Sequence, residues 1–233
     1  MKVAIPLRGH NFLEKDRFGF PMDARENAAS LMEKLLMPIR LKYPDTKFYL
    51  ATYDSPVLEE LKEMIGPCEM IPLDAEGSTQ IETLKQGLKH VFDNDDFDTL
   101  IVSRFDLDFK KSFDDWNVEL DDLSVYFSWK ETLPGWRDHA RVGDAIHIIG
   151  RRAMSDFFNA TMMCQLARRT NLHLLYYFLR TTVGTARFIE PGHWDSNTLF
   201  SNPESDNPLY KISNRPRLET PHNGMIPTEI FGE

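Results

Sequence analysis

The sequence predicts an α/β protein with a mixed, mostly parallel sheet flanked by helices in a single domain. Strand and helix patterns alternate over residues 2–109, which is typical of right-handed β-α-β units. Residues 99–102 form an apolar, β-branched run typical of a strand buried on both faces, and no turn residue separates this run from the charged positions after it. The chain has 233 residues, of which 42% are hydrophobic, enough for one substantial core.

The N-terminal half begins with a strand at residues 2–7, after which Gly9 would let the backbone approach a ligand closely. A helix at residues 23–43 has apolar residues at three- and four-residue spacing, and Pro38 should kink its last turns. A Gly-Ser-Thr sequence should cap the helix that begins at Gln80. The other elements predicted in this half are a strand at 47–52, a helix at 57–65, a strand at 69–73, the capped helix to residue 92, and the strand that begins at Thr99.

The alternation of strand and helix ends after residue 109. Strands are predicted at 124–129 and 145–149, and the loop between them contains Trp136, which could stack on a sugar. Two helices and a short strand follow, at 151–169, 172–180 and 188–189. The composition shifts to Asn, Pro, Ser and Glu from residue 201, so we expect residues 201–233 to be a C-terminal extension that packs along the surface or is partly mobile.

Charge and composition restrict the function. A net charge of -9 argues against a nucleic-acid backbone as the main partner. Cys68 and Cys164 are too few for a disulfide framework and lack metal-ligand spacing, which favours a reducing, cytoplasmic setting. The longest apolar runs are far shorter than a membrane span, and the opening residues resemble a buried strand more than a signal peptide.

Two carboxylates follow the run at 99–102. Asp106 and Asp108 are in alternate positions and could face a ligand together, since ligands of open α/β sheets bind beyond the carboxyl ends of the strands. Two hard oxygen ligands suit Mg²⁺ or Mn²⁺ that already carries phosphate oxygens. Arg104 offers a planar donor fork, either for phosphate or for locking an aspartate in place.

Several motifs in this order resemble the GT-A class of nucleotide-sugar glycosyltransferases. They are a first strand with Pro6 near its end, a second strand ending in T-Y-D, a helix beginning S-T-Q, the stretch I-V-S-R-F-D-L-D-F, and R-V-G-D-A-I-H-I-I-G-R-R-A-M. The similarity covers about residues 2–198 and is nearest to compact, single-domain microbial and virus-encoded enzymes. It implies a GT-A-like (Rossmann-like) domain at 1–200, with a nucleotide-binding half at 1–109 and an acceptor half at 110–200.

The resemblance also implies site residues. A divalent metal, Mn²⁺ or Mg²⁺, would be held by Asp106, Asp108 or both, and would bridge the diphosphate of the donor. Gln80 and Arg104 would lie near the ribose and phosphate or brace the metal carboxylates. The residues expected to hold the base and ribose are Pro6, Leu7, Arg8, Thr52, Tyr53 and Asp54. Positive groups, the metal and an arginine, are needed beside the diphosphate because negative charge grows on it as it leaves.

The acceptor hydroxyl must be deprotonated if the enzyme inverts configuration. Asp144, at the start of a strand, is the first candidate for this base and Asp195 is the second. His193 could be a further metal ligand or a phosphate contact. The sequence has no E-D-E-type base triplet, so both carboxylates remain candidates.

The expected activity is therefore metal-dependent transfer of a sugar from a nucleoside-diphosphate sugar to a hydroxyl of a glycan or glycoprotein, and a UDP-sugar is the first candidate for the donor. One alternative is a sugar-phosphate nucleotidyltransferase, although the loop I-P-L-R-G-H has a single glycine where those enzymes usually have a Gly-rich loop. Another is a D-x-D phosphatase, which residues 109 and 110 fit poorly. A third is a non-catalytic nucleotide- or sugar-binding module of the same fold.

Overall fold

The computed structural model describes residues 1–16, 19–74, 79–131, 141–167, 172–180, 186–195 and 206–213. Its strands are β1 (Val3–Gly9), β2 (Phe12–Leu13), β3 (Met22–Asp23), β4 (Lys47–Thr52), β5 (Glu69–Pro72), β6 (Thr99–Arg104), β7 (Leu107–Phe109), β8 (Val125–Phe127), β9 (Lys130–Glu131), β10 (His147–Gly150), β11 (Ala186–Phe188), β12 (His193–Trp194) and β13 (Tyr210–Ile212). Its α-helices are α1 (Arg25–Leu31), α2 (Met37–Lys42), α3 (Leu58–Ile65), α4 (Gln80–Asn94), α5 (Met154–Leu166) and α6 (Leu175–Leu179).

Seven strands form the central sheet in the order β11-β8-β10-β6-β1-β4-β5. Neighbours are parallel except at β10, which runs antiparallel to both β6 and β8. The side chains of β1 and β6 are almost all buried, as expected for central parallel strands covered on both faces. The predicted mixed, mostly parallel α/β fold is confirmed.

Helices cover both faces of the sheet. On one face α1, α2 and α3 contribute Leu31, Ile39 and Leu61 to a core that includes Ile5 of β1. On the other face α4, α5 and α6 contribute the side chains Leu84, Leu88, Phe157 and Leu175 to a second core. The first core also contains β7 and β13, which pair in a small antiparallel sheet.

The helix predicted at residues 23–43 is divided in three. A π-helical segment, Met32–Leu36, separates α1 from α2, and the N–H of Met37 donates to the carbonyl of Met32. Pro38 explains this widening, because its ring cannot donate and would clash with the carbonyl four residues earlier in a regular α-helix. Pro38 therefore changes the helix in the turn that precedes it, Met32–Leu36, and not in the turns that follow.

The start of α4 follows the predicted cap. The Thr79 side chain accepts a hydrogen bond from the N–H of Glu82, and the Glu82 carboxylate accepts one from the N–H of Thr79. This capping box fixes the entry of the chain into α4, and with it the position of Gln80 in the first turn.

The stretch after β6 differs from the prediction. Phe105 and Asp106 form a turn, so the chain does not run straight from the apolar strand into the carboxylates. Burial of Phe105 in the core and a hydrogen bond from the Asn27 side chain to the Phe105 carbonyl stabilise this turn. The chain then leaves the central sheet as β7, which places Asp106 in a buried position and leaves Asp108 exposed.

The described part of the C-terminal segment is not a surface tail, and the expectation of surface packing is wrong for residues 206–213. Leu209, Tyr210 and Ile212 are buried in the first core, while Lys211 between them is exposed. Their alternation is that of a half-buried strand, but it spans too few residues to stand out in the sequence. Within the described ranges, no helix has both the length and the apolar character needed to cross a bilayer.

Candidate functional site

The carboxyl ends of the parallel strands bring the predicted site residues to one edge of the sheet. Arg8 near the end of β1 is in register with Arg104 at the end of β6, and Gly9 is in register with Thr52 at the end of β4. Gly9 has a positive φ of 101°, which glycine adopts without strain as the chain turns away from β1. The two arginines therefore lie side by side where ligands of parallel sheets bind.

Asp144 lies next to these arginines, three residues before β10. Its carboxylate accepts a hydrogen bond from Gln80 Nε2 at 2.9 Å, and Arg104 Nη1 is 3.9 Å from its other oxygen. Arg8 Nη2 donates to its backbone carbonyl at 3.1 Å. Burial would raise the pKa of Asp144, but the charges of His173 and Arg104 and the hydrogen bond from Gln80 outweigh burial and hold that pKa well below its usual range.

Arg104 grips Asp106 in a bidentate pair. Its Nε donates to Asp106 Oδ1 at 2.8 Å, and its Nη2 donates to Oδ2. Burial alone would lower the pKa of Arg104, but the Asp106 charge and hydrogen bond and the nearby Asp144 raise it above the ordinary value. Of the two roles expected for Arg104, the structure shows the locking of an aspartate.

Arg8 is almost wholly buried, with 3% of its surface exposed. Its Nε has no hydrogen-bond partner among the residues that the structure describes. Burial, and then the neighbouring charge of Arg104, lower the pKa of Arg8 to about 10, so the group is still charged at neutral pH. Arg8 and Arg104 therefore bring two positive charges side by side, and the Arg104 side chain is the more exposed of the two.

Six charged side chains form a continuous series along this edge, which we call the charge chain: Arg141, Glu131, His173, Asp144, Arg104 and Asp106. Arg141 Nε is 3.0 Å from Glu131 Oε2, and His173 Nδ1 is 3.0 Å from Glu131 Oε1. His173 Nε2 is in turn 3.6 Å from Asp144 Oδ2. Positive and negative groups alternate along the whole charge chain, so each buried charge in it faces an opposite one.

His173 is charged in this setting. Burial lowers the pKa of its ring, but the negative charges of Asp144 and Glu131 outweigh burial and raise the pKa to about 9. Three residues of the site were not expected from the sequence: His173, Glu131 and Tyr210, a buried phenol whose pKa is raised by burial and then by the nearby charge of Asp144. None of the three belongs to a recognisable motif, and each reaches the site from a short strand or an irregular segment.

The end of β4 forms a second part of the edge. Thr52 Oγ1 donates to the Gly9 carbonyl at 2.7 Å, and Asn11 Nδ2 donates to the Tyr53 carbonyl at 3.1 Å. The ring of Tyr53 stacks on that of the exposed His10, with 4.4 Å between centroids. Asp54 is exposed beside them. This part of the edge therefore offers a partly exposed aromatic pair and an acidic side chain.

Pro6 and Leu7 lie deeper in β1 than the other predicted site residues. Pro6 packs towards Leu84 and Gly87 of α4, whereas Leu7 is buried in the core on the opposite face of the sheet. Both side chains are buried and contribute to packing on the two faces of the sheet.

The residues expected to hold Mn²⁺ or Mg²⁺ are spread over two elements. Asp106 is bound by Arg104, Asp108 is exposed on β7, and His193 is exposed on β12. Within the described residues, no three acidic, histidine or cysteine side chains are grouped closely enough to hold a metal ion. Asp106 and Asp108 nevertheless fit a metal that takes one or two carboxylates and completes its shell with water and substrate phosphate, because Asp108 is open to solvent.

His193 and Asp195 lie at and just after β12, which pairs with β9, and Trp194 between them is in register with Glu131 of the charge chain. The backbone of Asp195 forms an isolated β-bridge with that of Asp206 in the C-terminal segment. The Asp195 carbonyl also accepts a hydrogen bond from the Asn207 side chain. The structure thus brings Asp144 into the arginine cluster and places Asp195 beside the C-terminal segment. Trp136 lies outside the described residues.

Comparisons with known proteins give neither a matching family model nor a matching curated protein. Solved structures similar to the chain include a nucleoside-diphosphate-sugar pyrophosphorylase from Vibrio cholerae RC9, at 14% identity and a TM-score of 0.46 over 81% of this chain and 92% of that one. A protein described as a nucleotide-diphospho-sugar transferase from Desulfovibrio desulfuricans G20 has 12% identity and a TM-score of 0.49, over 86% and 84% of the two chains. A glycosyltransferase involved in glycosylation of the major capsid of PBCV-1 has 9% identity and a TM-score of 0.48, over 83% and 82%.

Proposed function

We propose that the protein is a glycosyltransferase that moves a sugar from a nucleoside-diphosphate sugar to a hydroxyl of a glycan or glycoprotein. A UDP-sugar is the first candidate for the donor. The observation that carries this proposal is the pairing of Arg8 and Arg104 at the carboxyl ends of two adjacent parallel strands, beside Asp106 and Asp144. Adjacent cations bind a diphosphate, and carboxylates beside them can bind a sugar hydroxyl or a metal.

The diphosphate would lie against the two guanidinium groups. Arg8 is buried, so it is a fixed positive charge, whereas the Arg104 side chain is 18% exposed and can turn from Asp106 towards a phosphate oxygen. Breaking the bond between sugar and phosphate leaves negative charge on the diphosphate. Positive groups already in place stabilise that charge as it develops, which lowers the barrier.

Asp106 and Asp108 would hold the metal of the donor complex, Mn²⁺ or Mg²⁺. When bound, the metal would add further positive charge beside the leaving diphosphate. When Arg104 turns towards phosphate it releases both oxygens of Asp106, so one movement of Arg104 would serve both the diphosphate and the metal carboxylate.

The nucleoside would lie at the end of β4. The stacked rings of His10 and Tyr53 offer an apolar face for a base, and the exposed Asp54 offers carboxylate oxygens for ribose hydroxyls. Thr52 is fully buried, and its hydroxyl holds the Gly9 carbonyl. The nucleoside would then lie next to Gly9, at the turn that follows β1.

Asp144 would accept the proton of the acceptor hydroxyl or a hydrogen bond from a sugar hydroxyl. Its low pKa makes it a weak base while Arg104 and His173 face it. When Arg104 turns towards the diphosphate, Asp144 loses one of these positive neighbours, so its basicity rises once the donor is bound. Asp195 remains the second candidate for the base.

A turnover assay tests the proposal. The protein is incubated with a panel of nucleotide sugars and glycan acceptors, with and without Mn²⁺, and the products are identified by mass spectrometry. We expect one donor to yield free nucleoside diphosphate and a glycosylated acceptor only when metal is present. Nucleoside triphosphate made from that sugar nucleotide and pyrophosphate would instead indicate a nucleotidyltransferase, and donor binding without turnover would indicate a binding module.

A pair of double variants makes this assay specific for the D-x-D carboxylates. Asp106→Asn with Asp108→Asn should abolish metal-dependent turnover. Asp114→Asn with Asp115→Asn makes the same change of charge on an exposed turn of 3-10 helix nearby and should retain it. Equal activity of the two double variants would contradict the metal role of Asp106 and Asp108.

A further inference from the structure

His173 lies between the two carboxylates of the C-terminal half of the site. It belongs to the segment just before α6, and it faces Glu131 of β9 through Nδ1 and Asp144 through Nε2. Its backbone carbonyl accepts a hydrogen bond from the N–H of Val142, and its Nδ1 lies 2.9 Å from the Val142 carbonyl. The ring is therefore fixed from three sides, with Nε2 directed at Asp144.

We propose that His173 is a positioning residue that holds the Asp144 carboxylate in its working orientation towards the bound sugar. The inference rests on the glycosyltransferase function proposed above, since Asp144 is the group that would meet the reacting hydroxyl. Gln80 Nε2 and His173 Nε2 both approach Asp144 Oδ2, whereas Arg104 approaches Oδ1. When Arg104 turns towards the donor, His173 and Gln80 are the contacts that keep the Asp144 side chain from rotating.

The positive charge of His173 is what this role requires. A neutral ring would remove the positive charge that lies between Asp144 and Glu131, whereas Arg141 contacts the other oxygen of Glu131, Oε2. Two other titratable rings lie near this group. His147 of β10 is buried and neutral, since burial lowers its pKa to about 3, and the phenol of Tyr210 is neutral, since burial raises its pKa well above the ordinary value. His173 therefore supplies the positive charge that lies between these two carboxylates.

His173→Gln tests the proposal because glutamine keeps a polar side chain but removes the charge. We expect kcat for sugar transfer to fall by about 10- to 100-fold while KM for the donor changes little, as for a misplaced reacting group. Wild-type kcat should decline as the pH rises through about 9, and the variant should lack this decline. The double variant with Asp144→Asn should be no slower than Asp144→Asn alone, because the two residues would act as one unit.

His90→Gln is the matched control. His90 Nε2 also contacts a carboxylate, Glu69 Oε1 at 2.6 Å, but on the outer surface of α4. This variant should keep the kcat and the pH profile of the wild type. Wild-type kcat and an unchanged alkaline decline in His173→Gln, or losses that add in the double variant, would overturn the proposal.

A measurement on the unaltered protein covers the case in which His173→Gln does not fold. The ring titration of His173 is followed by NMR with and without the donor nucleotide, and we expect its pKa to change when donor binding alters the charges around Asp144. An unchanged titration in a protein that turns over its donor would refute the positioning role. Failure of the glycosyltransferase proposal would be seen separately, as no turnover of any nucleotide sugar by the wild type.

Discussion

Two histidines in the C-terminal half of the fold, one buried and one partly buried, have opposite chemistry. His147 is on β10, where the rings of Phe127 and Phe157 pack against it, and burial together with the charge of Arg8 lowers its pKa to about 3. His173 is at the edge of the sheet between Glu131 and Asp144, and its pKa is about 9. The first is a neutral part of the core, whereas the second is a permanent cation at neutral pH.

The difference shows how the site is divided. Within the sheet, regular strands fix side chains by packing, and an ionisable ring gives up its charge. At the edge of the sheet, alternating charges fix side chains through ion pairs, and an ionisable ring keeps its charge. The N-terminal half contributes two arginines from strand ends, while the C-terminal half contributes Asp144, Glu131 and His173 from short strands and irregular segments.

The largest effect is expected when the charge chain loses its central carboxylate. Asp144→Ala should lower the free energy of unfolding by about 3–5 kcal/mol, because it leaves the buried Arg8 and the partly buried Arg104 and His173 short of a counter-charge. It should also abolish sugar transfer. Urea unfolding and the turnover assay measure the two effects, and a variant as stable as the wild type would contradict the account of the charge chain.

A second prediction concerns alkaline pH. The pKa of His173 is higher in the folded protein than its ordinary 6.5, so its contribution to stability is complete below pH 6.5 and is lost as the pH rises through about 9. The loss should be about 3 kcal/mol, at 1.36 kcal/mol per pKa unit. Unfolding free energies of the wild type and His173→Gln measured from pH 6 to 10 should converge at high pH, and parallel curves would show that His173 carries no such charge.

His147 should produce the opposite dependence in acid. Its pKa is lower in the folded protein than its ordinary value, so the unfolded chain takes up a proton first and stability falls as the pH drops from 6.5 towards 3. His147→Leu removes this linkage. Between pH 8 and pH 5 the free energy of unfolding of the wild type should fall by about 2 kcal/mol more than that of the variant. An equal acid loss in both proteins would place the titrating group elsewhere.

The smallest effect is expected for the hydroxyl of Tyr210. The ring is fully buried and packs on Trp129, with 5.0 Å between centroids, but its Oη finds no partner among the described residues. Tyr210→Phe should therefore leave the free energy of unfolding unchanged or raise it by about 1 kcal/mol. Tyr49→Phe is the control, because Tyr49 donates a hydrogen bond to Asp95, and it should lose about 1 kcal/mol in thermal unfolding.

The sequence predicted the N-terminal half better than the C-terminal half for a physical reason. The strand predicted at residues 47–52 coincides with β4, and Arg8 and Arg104 were expected at strand ends, because parallel strands are long apolar runs whose carboxyl ends converge. Asp144 was expected at the site through its place before β10. Its contacts with Gln80 and His173 join residues 64 and 29 positions away, which no local pattern reveals.

The unpredicted features depend on similar long-range contacts. The turn at Phe105 and Asp106 is fixed by a side chain of α1, and β13 is recognisable only because β7 leaves the sheet to pair with it. Tyr210 comes to the site from a segment with the composition of a surface tail. Short strands of two or three residues carry too little periodicity to be predicted alone.

The most direct test of the central claim is nucleotide binding by an arginine variant. Arg104→Gln and Arg25→Gln are compared by calorimetry with nucleoside diphosphates in the presence of Mn²⁺, because Arg25 also grips an aspartate two residues away, Asp23, but at the start of α1. We expect one nucleoside diphosphate to bind the wild type and Arg25→Gln equally, and to bind Arg104→Gln at least about tenfold more weakly. Equal affinity for all three proteins, or no binding to the wild type, would contradict the assignment of this edge as the diphosphate site.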